Sequence, residues 1–130
     1  MSIEEALQAY LIGNAGVAAL FGDRIYPNVI PQTSPLPAAA FQTVTTTGDD
    51  THDGPSGWTE ITLQITVDGA AYLATKAAVR AIYLALRGYS GTLSGVKIYY
   101  ISRENLIDGY NEGSKSTTIR QDFKVQYLEV

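Results

Sequence analysis

The chain has 130 residues with 13 acidic and 9 basic side chains, a formal net charge of −4, and no cysteine. This length predicts one domain, residues 1–130, with a core that needs no disulfide or metal. The acidic balance argues against nucleic-acid binding, and the lack of cysteine excludes disulfides, thiol nucleophiles and zinc–thiolate sites. No apolar run reaches the roughly 18 residues of a membrane-spanning helix, so we expect a soluble protein without a membrane partner.

The charges are unevenly divided along the chain. Residues 1–68 hold eight acids and one base, a net of −7, whereas residues 69–130 hold five acids and eight bases, a net of +3. Either the two halves interleave in the fold and mix their charges, or the surface has an acidic and a basic side. A two-sided surface would suit contacts between unlike faces of neighbouring subunits.

The N-terminal segment predicts two helices. Ser2 and Glu5 fit the pattern of a capping box, and apolar residues at helical spacing continue the helix to Gly13. Gly13 and Asn14 are expected to end it in left-handed conformations. A second, short helix is expected over residues 17–21.

Two strands and the strongest helix follow a loop at residues 27–37, which holds four of the five prolines. Residues 38–47 are rich in β-branched side chains, and residues 58–67 alternate between apolar and polar, so both predict strands. Between them, residues 48–57 (GDDTHDGPSG) have the composition of a polar loop. Residues 70–87 are rich in alanine and leucine and predict a helix.

The C-terminal part predicts two more strands, residues 96–102 and 117–130, joined by a loop or long hairpin tip at residues 105–116. The order is α-(α)-β-β-α-β-β, with no repeated strand–helix unit. We therefore predict an α+β fold, a mostly antiparallel sheet of about four strands packed by two main helices on one face. Tyr99 and Tyr100 are adjacent on one strand, so at least one is expected outside the core.

Few residues in the chain suggest catalysis or metal binding. The single histidine, His52, lies among Asp49, Asp50 and Asp53, whose oxygen donors together with the imidazole could bind a divalent cation. The same residue types also fill ordinary solvated turns, and their spacing matches no metal-binding loop. No nucleophile elbow or phosphate loop is present, so we expect no catalytic residue and no cofactor. A small hydrolase or metal-binding domain centred on His52 is the alternative.

One face of the predicted long helix carries a positively charged stripe. Lys76, Arg80, Tyr83 and Arg87 follow each other at steps of four, three and four residues, so they share a face. Such a stripe is either a docking surface or an ordinary solvated helix face. The chain also has nine tyrosines, and tyrosine is enriched in interfaces between proteins.

The order of these signals resembles that of one protein family. A short N-terminal helix precedes G-x-R-I-Y-P at residues 22–27 and a proline-rich stretch at residues 31–37. A D-G-P-S-G turn at residues 53–57, an alternating strand and an alanine-rich helix ending L-R-G at residues 86–88 complete the series. The combination is similar, over about residues 3–88, to the tail-completion proteins of tailed bacteriophages and prophages, also known as tail terminators or head-to-tail joining proteins.

The resemblance implies a structural virion protein without catalytic residues. Members form rings, commonly hexameric, at the head-proximal end of the tail tube. The implied partners are further copies of the chain, the tail-tube protein and the head–tail connector or stopper protein, with neither specific nucleic acid nor membrane among them. The implied location is the virion tail or neck, after synthesis in the host cytoplasm. Another neck component, such as a head-closure or stopper protein, is the alternative.

On this interpretation the two polar loops, residues 48–57 and 105–116, become candidates for contacts with neighbouring subunits, tube or connector because of their length and polarity. The charged stripe of the helix is a third candidate. The candidate interaction residues are Asp49, Asp50, Asp53, Lys76, Arg80, Arg87, Tyr110 and Glu112.

Overall fold

A computed structural model describes residues 2–31, 33–51, 54–112 and 116–128. Within them the chain forms three helices: α1 (Ile3–Gly13), α2 (Ala15–Phe21) and α3 (Tyr72–Leu86). It also forms six strands: β1 (Ile25–Pro27), β2 (Ala38–Thr51), β3 (Gly54–Gly69), β4 (Gly91–Leu93), β5 (Val96–Asn111) and β6 (Ser116–Leu128). The predicted α+β class is confirmed.

Helix α1 begins with the predicted capping box. The hydroxyl oxygen of Ser2 accepts a hydrogen bond from the N–H of Glu5 (3.1 Å), and the Glu5 carboxylate accepts one from the N–H of Ser2 (3.4 Å). Two N–H groups at the helix start are therefore satisfied. The apolar positions of α1 that face the core are Ile3, Ala6, Leu7 and Leu11.

The boundary between α1 and α2 differs from the prediction. Asn14 is extended, with φ −79° and ψ 125°, and its side-chain oxygen accepts hydrogen bonds from the N–H groups of Gly16 (3.0 Å) and Val17 (3.2 Å). The expectation of a left-handed stop at Gly13 and Asn14 was wrong. Helix α1 does end at Gly13, with Asn14 in an extended conformation as its C-cap, and the same Asn14 is the N-cap of α2, a position that asparagine prefers.

The six strands form one sheet in the order β1-β2-β3-β6-β5-β4. Only β1 and β2 pair in parallel, and every other neighbouring pair is antiparallel. The predicted count of about four strands, in the order α-(α)-β-β-α-β-β, was therefore too low, because β1 and β4 were missed. Each of these two strands has only three residues, too few for a visible alternation, and each is held by pairing with a long strand.

The four long strands are longer than the sequence predicts. Strand β2 continues to Thr51 and β3 starts at Gly54, so most of the loop predicted at residues 48–57 is a paired hairpin. Strand β5 likewise continues to Asn111. Residues 105–116 were predicted to form either a loop or a long hairpin tip, and the structure has the hairpin. Once two strands pair, their ladder continues through polar residues, because it is made by the backbone.

The core lies between one face of the sheet and all three helices. The predicted alternation of β3 holds, with Ile61, Leu63, Ile65 and Val67 all buried. Tyr99 is the extra residue of an irregularity in β5, and Tyr100 is 52% exposed, which confirms that at least one of the two tyrosines lies outside the core. The buried residues of α3 are Thr75, Ala78, Val79, Ile82 and Leu86.

The sheet order keeps the two halves of the sequence apart. Strands β1 to β3 come from the acidic half and lie together, while β4 to β6 come from the basic half and lie on the other side. The halves meet in the sheet where β3 pairs with β6, and there Lys124 Nζ lies 3.4 Å from Glu60 Oε1. Within the sheet, therefore, the halves are adjacent and not interleaved.

Candidate interaction surfaces

Two of the acidic candidates lie at the far end of the β2–β3 hairpin. Asp50 pairs with Pro55, and Asp49 lies at an irregularity of the ladder. Trp58 pairs with Leu128, the last residue described in β6. Residues 54–57 consequently lie beyond the described part of β6, and of these Gly54 and Pro55 pair with β2.

The proposed turn or metal site at His52 and Asp53 lies outside the described residues. Whether those two residues bind a cation therefore stays a prediction. Among the residues that the structure describes, no group of three or more histidine, aspartate or glutamate side chains could hold a metal ion. No helix in the described part of the chain is long and apolar enough to cross a membrane.

Tyr110 and Glu112 lie at the tip of the β5–β6 hairpin. Tyr110 pairs with Thr117 and is 62% exposed, and Glu112 is exposed in the turn that follows β5. Thr117 pairs on its other side with Gly69, the last residue of β3. This tip is thus at the end of the sheet where β3 ends, whereas the β2–β3 tip is at the end where β3 begins. The two predicted contact loops lie at opposite ends of the strands.

The charged stripe of α3 faces the edge of the sheet where β5 lies. Lys76 Nζ lies 2.9 Å from Asp108 Oδ1 on β5, and the hydroxyl of Tyr72 donates to Asp108 Oδ2 at 2.7 Å. Arg80 and Arg87 are exposed. The residues of the stripe therefore differ in their surroundings. Lys76 forms an ion pair within the chain, whereas the two arginines face solvent.

The contacts of Asp108 shift the pKa values of all three groups. The pKa of Asp108 lies below its ordinary value of 3.8. The main cause is the hydrogen bond that Tyr72 donates to the carboxylate, and the next is the hydrogen bond from Lys76. The hydrogen bond to Asp108 is also the main cause that raises the pKa of Tyr72 and the pKa of Lys76. These shifts favour the charged carboxylate, the neutral phenol and the charged amine, which is the arrangement that links the start of α3 to β5.

Two arginines lie against the ring of Tyr83. The guanidinium carbon of Arg103, on β5, is 3.9 Å from the ring centroid, and that of Arg87 is 5.7 Å away. Neither arginine makes an ion pair with any carboxylate in the described part of the chain. The ring attracts both cations through its negative face. The result is a fixed pair of positive charges beside β5.

The face of the sheet opposite the helices carries a row of hydrogen-bonded polar side chains. Gln42 donates to Gln64 (3.1 Å), and Gln64 donates to Asp122 (3.4 Å). Asn105 donates to the second oxygen of Asp122 (3.5 Å). The row crosses β2, β3, β6 and β5, so a strip of hydrogen-bonded polar side chains runs across the face that no helix covers.

Sequence reasoning missed Tyr72, Arg103 and Asp108 as members of these surfaces. The helical spacing of the stripe placed Tyr83 correctly beside the lysine and arginines. The register of β5 against α3 decides which β5 residues face that stripe, and no local pattern in the sequence encodes that register. An isolated arginine in a strand gives no signal of its own.

The model of the family described as Tail completion protein gp17 matches residues 5–127, so the chain belongs to that family. As a member of that family it is a structural tail-completion protein of a bacteriophage-type virion, located in the tail or neck. The family resemblance predicted from the sequence is confirmed.

The fold also matches a solved structure. A chain of the structure titled "Virion of native gene transfer agent (GTA) particle" superposes with a TM-score of 0.81 at 21% sequence identity, over 98% of this chain and 95% of that chain. At this identity the likeness concerns the fold. No curated protein sequence matches the chain.

Proposed function

We propose that the chain forms a ring, which we expect to be hexameric, on the head-proximal end of the tail tube and joins the tube to the head connector. The ring stops further growth of the tube. The proposal assigns no catalytic step to the chain, in line with a family of structural virion proteins. A closed ring uses heterologous contacts, in which one side of a subunit meets the other side of the next.

The observation that carries the proposal is the position of the two hairpin tips. Asp49 and Asp50 lie near one end of the strands, and Tyr110 and Glu112 lie at the other. A protein that joins two structures needs two separate contact surfaces that face in opposite directions. In a ring whose axis runs along the strands, one set of tips faces the tube and the other faces the connector.

The proposal can be tested by complementation of a phage that lacks the gene for this chain. Without the protein, electron microscopy should show full heads separate from tails, with tubes of uneven length. The wild-type chain should restore joined particles, and the purified protein should form rings that bind the tail-tube protein. Binding to the portal or adaptor without binding to the tube would instead favour a head-closure or stopper protein.

Variants of the tips separate their roles. We expect Asp49→Lys with Asp50→Lys to affect one joint and Tyr110→Ala with Glu112→Lys to affect the other. Loss of binding to the tube in one variant and to the connector in the other would support the proposal. Ala77→Lys, which adds a positive charge on an exposed position of α3, is the control. Equal loss of both bindings in both variants would contradict separate contact surfaces.

A further inference from the structure

Both edges of the sheet are unpaired over most of their length. Strand β4 pairs with β5 only from Val96 to Ile98, and the N–H of Gly88 donates to the carbonyl of Ile101 (2.9 Å). Strand β1 pairs with β2 only at residues 39–41. Beyond these contacts, no described strand pairs with the outer edge of β5 or of β2. An unpaired edge presents N–H and C=O groups that can bind another strand.

The β5 edge offers a positive site beside these backbone groups. The two guanidiniums on Tyr83 border a cleft of about 420 Å³ that also includes Gly88, Tyr100 and Ser102. Arg103 lies in the part of β5 whose outer edge no described strand pairs with, and Arg87 borders the cleft from the end of α3. A guanidinium held on an aromatic ring keeps its N–H donors free for a carboxylate. The cleft therefore fits an acidic side chain carried by an approaching edge.

The β2 edge carries a carboxylate, that of Glu4, at the same position along the strands as Arg103 on the β5 edge. The hydroxyl of Thr43 donates to Glu4 Oε1 at 3.4 Å, so the first turn of α1 lies over β2 there. Thr43 pairs with Leu63, Leu63 with Phe123, and Phe123 with Arg103. This row crosses the sheet from edge to edge. Because Leu63 and Phe123 are buried under the helices, Thr43 and Arg103 also face the helix side.

We propose that, in the ring described above, the β5 edge of one copy lies beside the β2 edge of the next, with Arg103 and Arg87 bound to Glu4 of that neighbour. The inference rests on the proposed ring and deepens it by naming the lateral contact. From β2 through β3 and β6 to β5, each neighbour is antiparallel to the last, so β2 and β5 run in opposite directions.

This geometry makes the contact repeatable around a ring. A rotation about an axis along the strands preserves strand direction, so β5 of one copy meets β2 of the next antiparallel. The same rotation keeps each row of paired residues at one height in every copy. Arg103 of one copy then faces Thr43 and Glu4 of its neighbour without an axial shift, and the basic half of each sheet meets the acidic half of the next.

Cysteine cross-linking tests the strand contact, because the natural chain has no cysteine to interfere. Asn105 and Gln42 belong to one row through Asp122 and Gln64, on the open face next to the row of Arg103. We expect an Asn105→Cys copy and a Gln42→Cys copy, mixed and assembled on tail tubes, to form a disulfide-linked dimer on a non-reducing gel.

Matched controls show whether that dimer reports a contact between the β5 edge of one copy and the β2 edge of the next. Asn105→Cys mixed with Gln126→Cys, a position in the middle of the open face, should give none. A disulfide in assemblies of Asn105→Cys alone or of Gln42→Cys alone would mean that like edges meet, and this result would overturn the proposal. So would the absence of any dimer from rings that electron microscopy shows to be intact.

Charge reversal tests the ion pair. Arg103→Glu and Glu4→Arg should each raise the protein concentration needed for ring formation at least tenfold, measured by analytical ultracentrifugation with folding checked by circular dichroism. The double variant should recover most of the loss. Arg120→Glu, the same charge change on the open face, should leave assembly close to wild type.

The outcomes separate this inference from the proposed function. Rings and joined tails that persist with Arg103→Glu would reject this lateral contact and leave the ring intact as a proposal. A wild-type chain that neither forms rings nor restores tail joining would reject both. Recovery in the double variant together with the Asn105–Gln42 dimer would support the contact.

Discussion

Gln121 donates a hydrogen bond from its side-chain amide to the main-chain carbonyl of Val79 at 3.3 Å, in the middle of the contact between β6 and α3. Gln121 is fully buried, and its side-chain oxygen has no hydrogen-bond partner in the described part of the chain. A buried polar atom left without a partner costs about 1–3 kcal/mol. The centre of this core is therefore less stable than it could be.

Replacing this amide should stabilise the protein. We predict that Gln121→Met, of similar size but without the polar atoms, raises the free energy of unfolding by about 1 kcal/mol, measured by urea denaturation. Gln121→Glu is the companion variant and should lower stability strongly at neutral pH, because it buries a charge without a partner. A less stable Gln121→Met protein would mean that the bond to Val79 outweighs the unsatisfied oxygen.

Gly69, the last residue of β3, lies against Thr75 of α3 and leaves no room for a side chain. A Cβ atom built there would clash with the hydroxyl and Cβ of Thr75. Thr75 is fully buried and its hydroxyl donates to the carbonyl of Ala71 at 2.6 Å, so it cannot move aside freely. We predict that Gly69→Ala lowers the free energy of unfolding by about 1–3 kcal/mol.

A matched glycine in α1 provides the control for that prediction. A Cβ at Gly13 would meet no atom within 4 Å, and the residue is the last of the helix. Gly13→Ala should therefore leave stability unchanged or raise it by up to about 0.5 kcal/mol. Urea denaturation of both variants checks the pair, and a neutral Gly69→Ala would show that the contact with Thr75 relaxes without cost.

The link between Asp108 and α3 predicts a loss of stability in acid. Its pKa is lower in the folded chain than the ordinary 3.8, so the folded state binds this proton less readily than the unfolded state. The contribution is present above pH 3.8 and disappears as the pH falls through the folded-state pKa. We predict that Asp108→Asn is less stable than wild type at about pH 6, and that the difference shrinks towards about pH 2.5.

Thermal unfolding of both proteins across that range, followed by circular dichroism, measures the difference. Tyr72→Phe should reproduce part of it, because it removes the hydrogen bond that contributes most to the lowered pKa of Asp108. A constant difference between wild type and Asp108→Asn at all pH values would contradict an origin in the ionised carboxylate.

The N-cap of α2 makes a separate contribution to stability. The side-chain oxygen of Asn14 accepts from two N–H groups, so we predict that Asn14→Ala lowers the free energy of unfolding by about 1 kcal/mol. Asn14→Asp, which keeps an acceptor in the same place, should stay close to wild type. Equal losses in the two variants would assign the effect to something other than capping.

Local signals in the sequence predicted the long elements of the fold and missed those that depend on pairing. The capping box at Ser2, the alternation of β3 and the alanine-rich α3 all depend on near neighbours in the chain, and all three were confirmed. Strands β1 and β4 were missed because three residues carry no periodicity, and each is defined by its pairing with a long strand.

The candidate surfaces were predictable to the same extent. Polarity and length singled out residues 48–57, predicted as a loop, and residues 105–116, predicted as a loop or hairpin tip, and helical spacing singled out the stripe that includes Arg87. The cluster of Arg103 with Tyr83 was missed because their contact depends on how β5 is placed against α3, which no local pattern encodes. The opposite positions of the two tips likewise follow from the sheet order, which no local pattern determines.

The pairing of β3 with β6 also has a consequence for how the chain folds during synthesis. Trp58 pairs with Leu128 and Gly69 with Thr117, so the partners are 70 and 48 residues apart in the sequence. Pairing over such distances is slow, because a long loop must close, with a loss of chain entropy, before any stabilising contact forms. On the ribosome the β2–β3 hairpin therefore emerges well before β6. The edge of β3 that pairs with β6 stays unpaired until β6 has been synthesised. The nascent chain is most prone to aggregation in that interval, and a chaperone that covers β3 would act then.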